Sequence, residues 1–230
     1  VTGQDPDGQH GPHVVAASFD ELRLHQDDRH HLGRVVRLRD GDRLTVGDGD
    51  GRWRPCRWGA EIQPDGDVVT VAARTPRIGV AFALIKGGRP ELVVQKLVEL
   101  GVDDIYPFTA DRSVVRWDEA KAEKNGERLA RVAREAVGQC RRAWLPVVHP
   151  LRSFAEVAAV PGACRADRGG QPISIEFPVV LVGPEGGWSD QERALALPVV
   201  ALSTAVLRAE TAAIAAATLL AAGRDLTPSA

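Results

Sequence analysis

The sequence predicts an α/β protein in two parts. A small β-rich, barrel-like domain over residues 1–75 precedes an α/β domain with a parallel sheet over residues 76–230. Three observations carry this reading. Up to about Arg74, short apolar runs are broken by Gly/Asp turns, the pattern of half-buried strands. From Arg77 onward, compact apolar runs alternate with helical stretches, the pattern of a parallel sheet with crossover helices. Segments rich in glycine or charge then fall at strand-to-helix junctions, where open α/β sheets bind ligands.

Composition excludes several classes. The chain has 29 Lys+Arg against 31 Asp+Glu, a net charge of -2, so it is neither a uniformly basic coat protein nor a disordered one. A 44% apolar fraction at this length is enough to bury about 70% of the unfolded surface without staples. No run approaches the roughly 18 apolar residues of a membrane span, and no signal-like segment lies near Val1, so a soluble, cytoplasmic protein without a membrane partner is expected. The cysteines are three, Cys56, Cys140 and Cys164, and no CxxC, HExxH or HxH pattern occurs. Neither a disulfide framework nor a metal centre is expected.

In the first part, His13–Phe19 reads as a strand and Asp28–Leu38 as a helix. Arg43–Gly47 alternates, and Gly47-Asp48-Gly49-Asp50-Gly51 reads as a hairpin tip. Trp53–Ile62 and Val68–Ala73 complete the set, and the boundary falls near Thr75-Pro76. In the second part, Gly79–Ile85 is an apolar strand. Pro90–Leu100 is a helix with Val93, Leu97 and Leu100 on one face. Asp104–Phe108 is a strand and Asp118–Ala143 a long charged helix. Pro178–Val182 is a buried strand. Ser189 with Glu192 forms a capping box that opens a helix to Leu197. Val199–Leu202 is a strand and Thr211–Ala222 a final helix. That last helix is apolar on nearly every side, which suits burial between subunits and predicts a dimer.

Charge is uneven: residues 121–142 hold seven basic and three acidic side chains. Either a solvated face or a phosphate-contacting ridge accounts for it. Three further segments stand out. Gly183-Pro184-Glu185-Gly186-Gly187 lies between a buried strand and a capped helix, where backbone N–H groups point into a crevice and glycines allow close approach. Leu207-Arg208-Ala209-Glu210-Thr211-Ala212 opens an otherwise apolar helix with two charges, readable as a buried ion pair or as part of a site. Glu135-Ala136-Val137-Gly138-Gln139-Cys140-Arg141-Arg142 ends the basic helix, plainly or functionally.

In this order, these segments resemble the ribosomal RNA small-subunit methyltransferase E family of the SPOUT class. The resemblance rests on Lys86 with Arg89, Gln95-Lys96, Glu99-Leu100-Gly101-Val102, Gln139-Cys140 with Arg142 and Pro146, the 183–187 turn, and Leu207-Arg208 with Glu210-Thr211-Ala212. His31-Leu32-Gly33-Arg34-Val35, Arg37 and Gly41-Asp42 match the family's N-terminal segment. At Ser203 and Ala205 the family usually has Gly and Arg, and Cys164–Gln171 differs from its usual cofactor-side loop.

The resemblance implies a PUA-like RNA-binding barrel before a SPOUT domain with a trefoil knot. It implies a homodimer that uses S-adenosylmethionine to methylate N3 of one uridine of 16S ribosomal RNA, free or in the small ribosomal subunit. The cofactor is expected at Val182, Gly183, Pro184, Glu185, Gly186 and Gly187, at Leu202, Ser203, Thr204, Val206 and Leu207, and at Thr211. RNA is expected at His31, Arg34, Arg37, Lys86, Arg89 and Arg112, and along Arg128, Arg131, Arg134 and Arg142. Arg142, Glu185, Arg208 and Glu210 are the candidate catalytic residues. Uracil N3 must lose a proton that ionises well above neutrality, and the matched second-part segments contain no histidine base. Glu210, expected to pair with Arg208, is a weak base. Arg142 is therefore the first choice to stabilise the uracil anion, with Glu185 shaping the pocket. A non-catalytic RNA-binding protein of the same fold, and a methyltransferase acting on another RNA, are the alternatives.

Overall fold

The structure, a computed structural model, describes residues 3–87 and 89–226. The chain folds into two compact units, Val1–Arg74 with Arg134–Leu145, and Thr75–Ala133 with Pro146–Ala230.

In the first unit, β1 (His13–Ser18) and β2 (Arg23–Leu24) are antiparallel. Helix α1 (Gln26–His31) runs into a π-helical turn, Leu32–Val36. The sequence predicts one regular helix to Leu38. Instead the backbone widens and closes with Arg37 at φ 62°, while the Leu38 N–H donates to the Leu32 carbonyl. Strands β3 (Arg43–Gly47) and β4 (Arg52–Arg57) form the expected hairpin, in register from Arg43↔Arg57 to Gly47↔Trp53. β4 stops well before Ile62: the Trp58 N–H still donates to the Asp42 carbonyl across the hairpin, and the chain then bends at residues 59–61. Short β5 (Gln63–Pro64) and β6 (Val69–Thr70) complete a sheet ordered β2-β1-β3-β4-β5, with β6 also on β4. Its core is apolar: Val14, Leu24, Leu32, Leu44, Val46, Cys56 and Ile62.

The second unit begins with β7 (Gly79–Ala83), α2 (Arg89–Glu99) and β8 (Asp104–Thr109). The long α3 (Glu119–Cys140) is followed by β9 (Val147–Val148), β10 (Arg152–Ser153) and the short α4 (Phe154–Ala158). Then come β11 (Ala163–Pro172), β12 (Val179–Val182), α5 (Asp190–Ala194), β13 (Val199–Ala201) and α6 (Ala209–Asp225). The sheet order is β10-β8-β7-β12-β11-β13, and every pairing is parallel. Two differences from the sequence reading matter. β11 is a ten-residue strand through Arg165, Asp167, Arg168 and two glycines. A bulge between Ala166 and Gln171 takes its polar residues out of register, so it never looks like an apolar run. And α5 ends at Ala194 rather than Leu197, since Leu195 is already extended ahead of Pro198.

One face of the sheet, including Ala81, Phe108 and Leu181, packs with Val157 of α4 and with Trp188. Helix α6 packs on α2, β7 and β12. It buries Ala213, Ala216, Ala217, Leu220 and Arg224, the i, i+3, i+4, i+7 stripe of a helix lying on a core. The Arg224 guanidinium donates to Asp103 Oδ2 at 2.7 Å and to the Gly101 carbonyl at 3.0 Å. Gly101, at φ 83°, ends α2, so the Glu99–Val102 segment turns out to anchor the far end of α6. Among the described residues, no helix is long and apolar enough to cross a membrane.

Candidate cofactor cleft and RNA-facing residues

A cleft of ≈ 410 Å³ opens where β12 and β13 end, beside the bulged middle of β11. The carboxyl ends of parallel strands are where backbone leaves the sheet with unspent hydrogen-bonding capacity. Its walls are the 183–187 turn after β12 and the 202–208 segment after β13.

The first wall is fixed from below. The Trp188 indole is buried, lies parallel to Phe108 with centroids 6.1 Å apart, and donates from Nε1 to the Ala166 carbonyl at 2.9 Å. Ser189 and Glu192 form the expected capping box, and Glu192 Oε1 also accepts from the Asp111 N–H at 2.9 Å. A Cβ on Gly183 would lie 2.9 Å from the Trp188 ring, and one on Gly186 would lie 3.1 Å from Arg112. The turn is thus held between a core aromatic and the segment after β8, and its glycines are what let it fit.

The second wall is open. Residues 203–206 are exposed, and Val206 is 74% exposed at the rim. Ser203 closes a local turn, its Oγ accepting from the Ala205 N–H at 3.0 Å, so a hydroxyl here supplies a fixed bend. The bulged part of β11 adds Asp167 and Arg168, and Asp167 is ion-paired with Arg193. The sequence reading missed these three. No periodic signal marks Asp167 and Arg168, because a bulge and not a pattern turns them toward the cleft, and Arg193 comes from α5.

Of the expected cofactor residues, Val182, Gly183, Pro184, Glu185, Gly187, Leu202, Ser203, Val206 and Leu207 line the cleft. Gly186, Thr204 and Thr211 flank it in sequence without lining it. Of the catalytic candidates, Glu185 and Arg208 line it, and Arg142 folds with the first unit. The expected pairing of Glu210 with Arg208 is corrected. Arg208 is the extended residue before α6, Glu210 sits in the first turn, and residues two apart do not face each other. The partner of Glu210 is Arg89, at 3.6 Å, and Arg89 also stands 3.8 Å from Glu185.

The basic residues divide. His31, Arg34 and Arg37 are exposed around the π-helical turn, beside exposed Val35 and Val36. Lys86, Arg112 and Arg131 are exposed on the second unit, as is Arg128, which also pairs with Glu91 at 2.9 Å. Arg134 is corrected. Its side chain is 17% exposed and pairs with Asp28 at 3.1 Å inside the first unit, so it is a structural ion pair and not part of an exposed ridge. The 135–142 segment is likewise built in. A Cβ on Gly138 would come within 2.8 Å of the His13 carbonyl, and Arg141 donates to the Gly11 carbonyl. His13 itself is buried with Nδ1 2.9 Å from Thr45 Oγ1, and burial pushes its pKa down to about 4.

Comparisons with known proteins agree with this architecture. The family described as RNA methyltransferase domain matches residues 73–221, and that described as RNA methyltransferase PUA domain matches residues 24–57. The Ribosomal RNA small subunit methyltransferase E of Mycobacterium bovis is 31% identical over 83% of this chain and 82% of its own length. That of Bacillus subtilis is 30% identical over 57% of this chain, a match spanning 54% of that protein. A solved structure of the Neisseria gonorrhoeae enzyme of that name, bound to S-adenosyl methionine, superposes with a TM-score of 0.77 at 27% identity, covering 90% of this chain and 95% of that one. With the family match over residues 73–221, a PUA-type unit ahead of it and relatives of that name 31% identical over most of both chains, the protein belongs to the ribosomal RNA small subunit methyltransferase E family.

Proposed function

We propose that this protein is an S-adenosylmethionine-dependent methyltransferase that modifies N3 of a uridine in 16S ribosomal RNA and works as a homodimer. The observation that carries the reading is the cleft at the ends of β12 and β13, beside the bulge of β11, in a chain of this family. Its volume of ≈ 410 Å³ falls within the roughly 300–1,000 Å³ usual for small-molecule sites. Leu202, Val206 and Leu207 offer apolar surface for an adenosine moiety, and a bound ligand would cover Val206. The 183–187 turn offers backbone groups without side-chain obstruction.

When bound, the cofactor supplies an electrophilic methyl group. The chain's own task is to orient the uracil and to favour loss of its N3 proton to solvent, so that N3 can take the methyl group as the sulfur–carbon bond that carried it breaks. Arg142 is the proposed cation for the charge developing on a uracil carbonyl oxygen, and Glu185 and Arg208 are proposed to shape the cleft. RNA is proposed to follow His31, Arg34 and Arg37 on the first unit, and Lys86, Arg112, Arg128 and Arg131 on the second. A trefoil knot in the second unit is part of the proposal on the family's account. Apolar Leu219 on α6 and Leu226 just after its end are exposed, which supports a dimer contact.

The test is nucleoside mass spectrometry of 16S ribosomal RNA, free and in small subunits, after reaction with the protein and S-adenosylmethionine. The expected product is 3-methyluridine. A ribose-methylated nucleoside would move the protein to another reaction, and no transfer to either substrate would leave only RNA binding.

A further inference from the structure

Arg89 opens α2, and it meets two carboxylates that sequence separates widely. Its Nη1 is 3.8 Å from Glu185 Oε1 and 3.6 Å from Glu210 Oε1. Glu185 belongs to the turn that forms one wall of the cleft. Glu210 belongs to the first turn of α6, directly after the 202–208 wall. The two walls therefore share one cation. The arrangement is also unfinished. Both separations exceed charge-assisted hydrogen-bond length by about 1 Å. Glu210 Oε2 is buried with no hydrogen-bond partner among the described residues, and the Glu210 side chain is only 15% exposed. A buried carboxylate oxygen without a donor favours any movement that brings one to it.

The Arg89 and Glu185 side chains are by contrast 42% and 40% exposed, so both have room to move while Glu210 does not. Reorientation of the Arg89 guanidinium toward Glu210 by about 1 Å, with the Glu185 side chain following it, would bring both contacts to hydrogen-bond length. Glu210, at the helix start, is held in place by favourable alignment with the α6 dipole.

We propose that Arg89 is a positioning residue of the cofactor cleft, a latch that ties the 183–187 turn to the start of α6 and tightens when the cleft is filled. The inference rests on the cofactor reading given above. It also takes Arg89 out of the set of phosphate contacts. As a latch, Arg89 acts on both walls at once, and a side chain with the charge but without the forked geometry restores part of its effect.

The experiment compares wild type, Arg89→Ala and Arg89→Lys as full chains. Amide hydrogen exchange in peptides covering 183–187 and 207–212 is measured without ligand, S-adenosylmethionine affinity by calorimetry, and the salt dependence of RNA binding by titration. For Arg89→Ala the expected result is exchange at least fivefold faster in both peptides, affinity weakened about tenfold, and an unchanged salt slope. Arg89→Lys should recover part of the exchange protection and of the affinity. Exchange and affinity within twofold of wild type in Arg89→Ala overturn the latch, and a shallower salt slope in that case returns Arg89 to the RNA. Failure of the wild-type chain to bind S-adenosylmethionine overturns the cofactor reading instead, and the exchange comparison still decides whether Arg89 joins the two walls.

Discussion

Replacing Arg224 by Met removes a cation from the most enclosed ion pair described in the second unit. The Arg224 side chain is 2% exposed and its partner Asp103 is 11% exposed. The truncation leaves a buried carboxylate without its guanidinium and the Gly101 carbonyl without a donor. Breaking a buried pair from one side costs about 3–5 kcal/mol. For a unit of this size, at about 2–4 °C per kcal/mol, the melting temperature should fall by roughly 6–20 °C. The adjacent pair is the internal control. Arg77 meets Asp104 at 2.9 Å with its own side chain 50% exposed, and such a pair is worth about 1 kcal/mol or less. Scanning calorimetry of Arg224→Met and Arg77→Met side by side measures the contrast. If the two variants lose the same stability, or Arg224→Met loses less than about 1 kcal/mol, then burial does not set the value of these pairs and the reasoning fails.

Other expectations follow from the same contacts. His13, with a pKa of about 4 against an ordinary 6.5, binds its proton less readily folded than unfolded. The unfolded chain therefore takes up more protons across that window, so stability is full above pH 6.5 and is lost as pH falls to 4, by ~3 kcal/mol. Urea denaturation from pH 7 to 4.5 should show this slope reduced in His13→Gln, and equal slopes would dismiss it. Trp188→Ala should cost ~3–5 kcal/mol and abolish S-adenosylmethionine binding, whereas Trp188→Phe, losing the bond to Ala166, should cost about 1 kcal/mol. Calorimetry of both variants decides, and full binding by Trp188→Ala would mean the 183–187 turn is not fixed by that ring. Arg128→Ala should lower the slope of log affinity for RNA against log salt by about 0.9 or less, and Arg134→Ala should leave it unchanged while destabilising the fold by ~1.5–3 kcal/mol. A lowered slope in Arg134→Ala would put that side chain on the RNA after all.

Elements with a regular period were legible in the sequence. The hairpin Arg43–Gly47 with Arg52–Arg57 follows from alternation about a Gly/Asp turn, and α2 follows from Val93 and Leu97. The 183–187 turn and the capping box at Ser189 were legible because each is a local device, complete within a few residues. What could not be read depends on long-range contacts. Arg134 and Arg128 look alike on one helix, but only the fold shows that Asp28 takes the first out of solvent. Glu210 stands next to Arg208 in sequence, and its partner is over a hundred residues away. β11 is polar and bulged because its outer residues serve the cleft, so the hydrophobic pattern that announces a strand is missing there. The family resemblance supplied cofactor and substrate, which no period or spacing in the chain encodes.

The division of the chain has a consequence for anyone who cuts it. Residues 134–145 belong to the first unit, so the backbone passes between units three times, after Arg74, after Ala133 and after Leu145. The second of these passages lies inside α3, an unbroken helix from Glu119 to Cys140. A recombinant fragment ending near residue 75 would leave behind the Arg134 partner of Asp28, the Ala143 N–H that Asp5 accepts, and the Trp144 indole that donates to Val71. A PUA module transplanted as a contiguous segment would thus arrive with part of its own framework missing. Grafts and chimaeras between relatives should exchange the 134–145 segment together with the N-terminal stretch, as two pieces of one inherited part.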